Sequence, residues 1–211
     1  MLTSLILLAA TAHAGAIMGV DLSPSGRGDL AWVLDGRSTS DLAAETDGLL
    51  TPPLTFWGGW LRDQNALLGG LAVQRTTTWT WSGSDVATVA AGGVRPSVDL
   101  RRYLRPREAG RASPWLQGGA WVVIPNASYS NSTWTDEEQA AYDEQAAQDR
   151  AGIGGVGLRL SPGGEVLFEN GLSLGLRGGL GVYQASARTT AEVSRTWLVT
   201  TDAALVFALT Y

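Results

Sequence analysis

Apolar and polar side chains alternate along much of the chain with a period of two. At the C-terminus Trp197, Val199, Thr201, Ala203, Leu205, Phe207, Leu209 and Tyr211 share one parity, while Thr200, Asp202, Ala204, Val206, Ala208 and Thr210 share the other. Successive side chains of a strand point to opposite faces, so this pattern predicts a strand with one apolar face and one small or polar face. From Val86 to Leu100 the even positions are mostly apolar, and the odd ones run through Arg95, Ser97 and Asp99 to Arg101. From Leu172 onward Leu174, Leu176, Leu180 and Val182 alternate with Ser173, Gly175, Arg177, Gly179 and Gly181. Runs at 67–81, 115–129 and 152–160 fit less cleanly. Arg75 and Pro96 break the alternation, and Pro96 requires a bulge or an unpaired position.

Two kinds of connection take turns between these runs. "RDQN" (62–65), "PREAGRASP" (106–114) and "SPGG" (161–164) are short and rich in turn residues. "TSDLAAETDGLLTPP", "SGSD", "NSTWTDEEQAAYDEQAAQD" and "ARTTAEV" are mostly longer and more polar. In the third of these, Thr135 and Glu138 form a capping-box pair that predicts a short helical stretch. Counting back from Tyr211 gives strands at 195–211, 165–187, 148–160, 113–130, 86–104, 66–82 and 54–61. An eighth comes from "GAIMGVDL" or "DLAWVLDG", since single-chain bacterial membrane barrels have even strand numbers. The predicted fold is all-β: an eight-stranded antiparallel transmembrane up-and-down β-barrel.

Composition narrows the class. A chain of 211 residues is read as one domain. A formal net charge of −5 with 17% charged residues gives no basic surface, so no nucleic-acid partner is expected. All basic side chains are Arg, which we read as genome bias. The absence of Cys excludes disulfides and thiol chemistry, and no apolar run is long enough for a membrane-spanning helix. Residues 1–14, "MLTSLILLAATAHA", carry an apolar core and an A-x-A ending, the pattern of a secretory signal peptide. Cleavage after Ala14 leaves 15–211 as the barrel domain.

A last strand that alternates apolar residues down to a terminal aromatic, as Leu205, Phe207, Leu209 and Tyr211 do, resembles the C-terminal assembly signal of outer-membrane barrels. The family resembled is the small eight-stranded barrels of the Gram-negative cell envelope, of the OmpA transmembrane domain, OmpX and OmpW type. The resemblance covers the mature chain in architecture and only the last strand as a motif. It implies location in the cell outer membrane, contact with outer-membrane lipid, and recognition of the C-terminal strand by the barrel-assembly machinery. It also implies a periplasmic terminus, with the long loops facing outward. Trp197 and Tyr211 stand roughly 35 Å apart in height for a strand rising ~3.3 Å per residue at ~40° tilt, enough to reach both interfaces.

The inward parity carries the candidate chemistry. Arg95, Asp99, Arg101, Arg159, Glu169, Arg177 and Asp202 are expected to face the lumen and pair, because eight strands enclose a space that side chains fill and unpaired buried charges are costly. The only His is His13, inside the expected leader, which removes the usual general base. No catalytic, cofactor-binding or metal residues are assigned. Loop 131–147 is a candidate partner surface; a divalent-cation site on Asp136, Glu137, Glu138, Asp143 and Glu144 lacks the spacing of an EF-hand. "GRGD" (26–29) is read as a chance match, and the glycosylation-acceptor patterns at Asn126 and Asn131 carry little meaning in a bacterial host. The expected function is a non-catalytic, plugged outer-membrane barrel with a structural or surface-interaction role. The alternatives are an OmpW-like narrow conduit for small hydrophobic molecules and a soluble lipocalin-like carrier, which turns its apolar face inward.

Overall fold

The computed structural model describes residues 14–23, 32–33, 54–82, 85–188 and 193–211. The strands are β1 (Ala14–Leu22), β2 (Trp32–Val33), β3 (Leu54–Arg62), β4 (Asn65–Ser82), β5 (Asp85–Tyr103), β6 (Ala112–Asn131), β7 (Gly155–Leu167), β8 (Leu172–Arg188) and β9 (Val193–Thr210), with one helix, α1 (Asp136–Ile153). Leaving β2 aside, each strand pairs antiparallel with the next, and β9 returns to β1 from Ile17↔Thr210 to Leu22↔Leu205. The result is a closed up-and-down barrel of eight strands. Closure removes every sheet edge along the paired lengths, so backbone polar groups there are satisfied internally.

Both N-terminal candidates are strands, with unequal parts. Ala14–Leu22 closes the barrel against β3 and β9, whereas Trp32–Val33 adds a two-residue pairing to β9 at Leu198 and Val199, beyond the end of β1. The expected leader falls on residues 1–13, outside the described residues, and on Ala14, which begins β1. "GRGD", the segment 39–53 and residues 189–192 also lie outside the described residues, as does the side chain of Arg75.

Two expected boundaries are corrected. "SPGG" is no turn: it lies inside β7, which continues to Leu167, and the connection to β8 is Phe168–Gly171. Gly171 there takes a positive φ of 84°, and the Phe168 N–H donates to the Leu172 carbonyl at 2.7 Å. Pro162 is tolerated because the β7–β8 ladder is interrupted at Ser161 and Pro162 while β6 still pairs with both. Pro96 has the same arrangement, paired to Leu71 on β4 and skipped by the β6 ladder without a change of register. The second correction is at 148–153, which is helix, not strand. The capping box at Thr135 and Glu138 starts α1, which runs on through Gly152 to its C-cap at Gly154.

The hairpin turn at Asp63 and Gln64, the loop 104–111, the turn 168–171 and Tyr211 share one end of the barrel, and α1 stands at the other. Asp63 adopts φ 54°, a left-handed conformation that Asp tolerates in tight turns.

Candidate functional site

The walls sort side chains opposite to a soluble domain. Phe56, Trp60, Leu67, Leu71, Val98, Leu100, Val122, Leu158, Leu160, Leu174, Leu176 and Leu180 are exposed on the outside. Asp21, Arg95, Asp99, Arg101, Gln117, Glu165 and Arg177 are buried within. On β8 the outward series from Leu172 to Val182 spans about 25 Å of height at ~3.3 Å per residue and ~40° tilt. Trp197 and Tyr211 are both exposed, near opposite ends of β9.

Inside, the charges form two groups. In the first, Arg177 donates to Asp21 and to Asp202, the latter at 2.7 Å, and the Trp57 indole N–H donates to Asp21 at 2.7 Å. Next to it Arg159 holds Asp99 in a two-pronged contact at 2.8 and 2.5 Å. In the second, nearer the short turns, Glu165 receives Tyr103 at 3.0 Å and Arg107 at 2.7 Å, with Arg101 at 3.5 Å. The Arg101 guanidinium lies between two indoles, 4.2 Å from the Trp115 ring centre and 4.7 Å from that of Trp57, while its Nε donates to Gln117 at 3.0 Å. Arg107 enters from loop 104–111 and also donates to the Thr210 hydroxyl at 2.9 Å. These ion pairs involve four carboxylates (Asp21, Asp99, Glu165, Asp202) and four guanidiniums (Arg101, Arg107, Arg159, Arg177), so the paired set is electrically neutral. Pairing of this kind is what low-dielectric burial demands. Arg95 is buried over the Trp121 ring at 5.7 Å.

Interior glycines make room for the large rings. Gly157 and Gly163 are the direct strand partners of Trp121 and Trp115. A Cβ at either position falls 2.3 Å from the indole opposite it. Trp121 in turn stacks on Tyr183, with ring centres 6.4 Å apart. The glycines therefore bring bulky rings close to the wall and fill the lumen, the cross-strand device of aromatic over glycine.

Among the sequence-derived candidates, Arg95, Asp99, Arg101, Arg159, Arg177 and Asp202 face this interior. Glu169 does not: it is exposed in the turn 168–171, and Glu165 is the carboxylate that meets the arginines. The error follows from taking "SPGG" as a turn. With those residues in the strand, Arg159, Ser161, Gly163 and Glu165 share one face. Asp21 was legible on the parity of Ile17 and Gly19, whereas Arg107, on a loop, left no periodic signal. On the outside, Leu205 and Phe207 are exposed, Leu209 is half-buried, and all three pair with β1. The Tyr211 N–H donates to the Ala16 carbonyl at 2.9 Å, which ties the terminus down.

At the far end α1 bears Asp136, Glu137 and Glu138 in its first turn, where they complement the helix dipole. Glu138 accepts from the Thr135 N–H at 2.9 Å, and this holds its carboxyl below the usual carboxylate range. A lowered folded-state value stabilises the cap above the ordinary carboxylate range, and that contribution is lost as pH falls through the Glu138 value. Trp134 stacks on Tyr142, ring centres 4.0 Å apart. Among the described residues, no three His, Cys, Asp or Glu side chains converge on a metal position.

An apolar wall, a neutral network of buried ion pairs and a closed ring of eight antiparallel strands define the class: a small, filled β-barrel of inverted polarity. No protein-family model and no curated protein matches the chain.

Proposed function

We propose that this is a non-catalytic integral barrel of the cell outer membrane, with its lumen closed by paired charges and its role structural or surface-interacting through the α1 end. The observation that carries the reading is the inverted burial: Leu158 is 67% and Leu176 64% exposed, while Arg101 is 0% and Glu165 2%. Contiguous outward aliphatics on this scale call for a partner, and a band about 25 Å high matches the hydrocarbon thickness that small membrane barrels span. A soluble carrier puts that face inward, around its ligand.

Refolding into lipid vesicles tests the reading. The inserted protein should migrate faster unheated than boiled on a gel, and in a planar bilayer it should show no stable conductance. Native protein recovered without detergent from the soluble fraction would sink the membrane assignment. A persistent porin-sized conductance would overturn the closed lumen and favour a conduit.

The terminal strand supplies the handle for assembly on this reading, since Leu205, Phe207, Leu209 and Tyr211 lie on the seam that closes the barrel. Deleting Tyr211 should lower the amount of heat-modifiable protein in outer-membrane fractions several-fold while leaving synthesis unchanged. Normal membrane levels would refute an assembly role for the last residue.

A further inference from the structure

The outward face at the short-turn end carries a row unlike the aliphatic rows above it. Arg62 on β3, Asn65 on β4 and Arg102 on β5 are direct neighbours across three strands, and all are exposed. At strand spacings of ~4.8 Å the two arginines stand about 10 Å apart at their Cα atoms. The Asn65 amide oxygen between them accepts from Arg102 at 3.4 Å. Among the described residues neither guanidinium has a salt-bridge partner, whereas Glu108 is taken by Arg111 and Glu165 by Arg101 and Arg107. Arg105 is also exposed in the adjoining loop, and Asp63 follows Arg62 in the hairpin turn.

Directly above lies the row Trp60, Leu67 and Leu100, then the row Gly58, Gly69 and Val98, then Phe56, Leu71 and Pro96. At Gly58 and Gly69 the wall carries a shallow, open dent, whose lining includes Phe56, Gly70 and Leu71. A Cβ on Gly69 meets nothing closer than 3.9 Å, so the dent is not forced by packing.

We infer that this strip binds one membrane phospholipid of anionic headgroup. Arg62 and Arg102 hold the phosphate diester, Asn65 donates its amide N–H groups to it, and an acyl chain lies over Trp60 into the dent at Gly58 and Gly69. The inference rests on the membrane reading above. Charge complementarity selects the lipid: the chain as a whole is acidic, at −5, so overall attraction does not bring an anion here, and the local arginine pair does. The apolar dent in line with that pair selects a lipid over a free phosphate.

The test uses the full protein in nanodiscs of phosphatidylcholine and phosphatidylglycerol, with native mass spectrometry of the lipids that stay bound after release. Phosphatidylglycerol should be retained over phosphatidylcholine by on the order of tenfold, given the worth of two arginines near a membrane surface. Arg62→Gln with Arg102→Gln should abolish the preference, and Gly69→Val, which fills the dent, should reduce it. Arg105→Gln with Arg111→Gln should leave it intact. A preference that survives loss of Arg62 and Arg102, or that vanishes with excess soluble glycerol phosphate, overturns the site as a bilayer-lipid site. Protein that enters nanodiscs without any preference overturns this inference alone; protein that never enters them overturns the membrane reading and this inference with it.

Discussion

Arg177→Leu should destabilise the barrel by about 3 kcal/mol, because the substitution strips the guanidinium from the buried carboxylate of Asp21 and the part-buried one of Asp202 at once. Arg177 is 4% exposed and is the ion-pair partner of both Asp21 and Asp202. Breaking a buried pair from one side leaves a charge without its partner, and here two carboxylates lose theirs; Asp21 keeps the Trp57 indole N–H, and Arg159 and Arg95 act on Asp202 only from a distance. Urea unfolding of vesicle-inserted protein, followed by tryptophan fluorescence, measures the loss. Adding Asp21→Asn and Asp202→Asn to the variant should recover most of it, since the orphaned charges are then gone; non-additivity of this size is the signature of a shared network. An unchanged midpoint for Arg177→Leu would mean that Arg177 is solvated, and the closed-lumen reading would lose its central contact.

Leu176→Arg tests the outer wall with an effect of similar size. Leu176 sits near the middle of the outward series Leu172–Val182, between Gly164 on β7 and Leu205 on β9. On a water-facing surface such a change is worth within about 0.5 kcal/mol. Facing hydrocarbon near the midplane, it costs about 2–4 kcal/mol. The same unfolding measurement in vesicles should therefore show a loss of that order, and the equivalent change at Leu104, beside the arginine row at the short-turn end, should show much less. Equal and negligible losses at both positions would place the wall in water.

The alternation of residues fixed much of the fold, and its failures have identifiable causes. Period-two parity located β5, β8 and β9 and assigned their faces, because a strand can bury only every second residue. It failed at 161–164, where Pro and Gly are scarce in ordinary strands, but here Pro162 faces outward at a gap in the β8 ladder and Gly163 seats Trp115. That misreading moved the interior carboxylate from Glu165 to Glu169. It failed again at 148–153, where no alternation marks the junction between helix and strand and the helix begun at the capping box runs on to Ile153.

The sequence by itself determined strand identity, which face of each strand is apolar, and the surplus of charges on the opposite face. Those are local properties, set by the side-chain alternation of a single strand. Only the tertiary structure decided that Ala14–Leu22 rather than Trp32–Val33 closes the ring, that Asp21 and Asp202 share one arginine across it, and that Arg107 folds in from a loop to share Glu165 with Arg101. Ring closure fixes the stagger between strands far apart in the chain, and pairing in the lumen depends on that stagger, which no local pattern encodes.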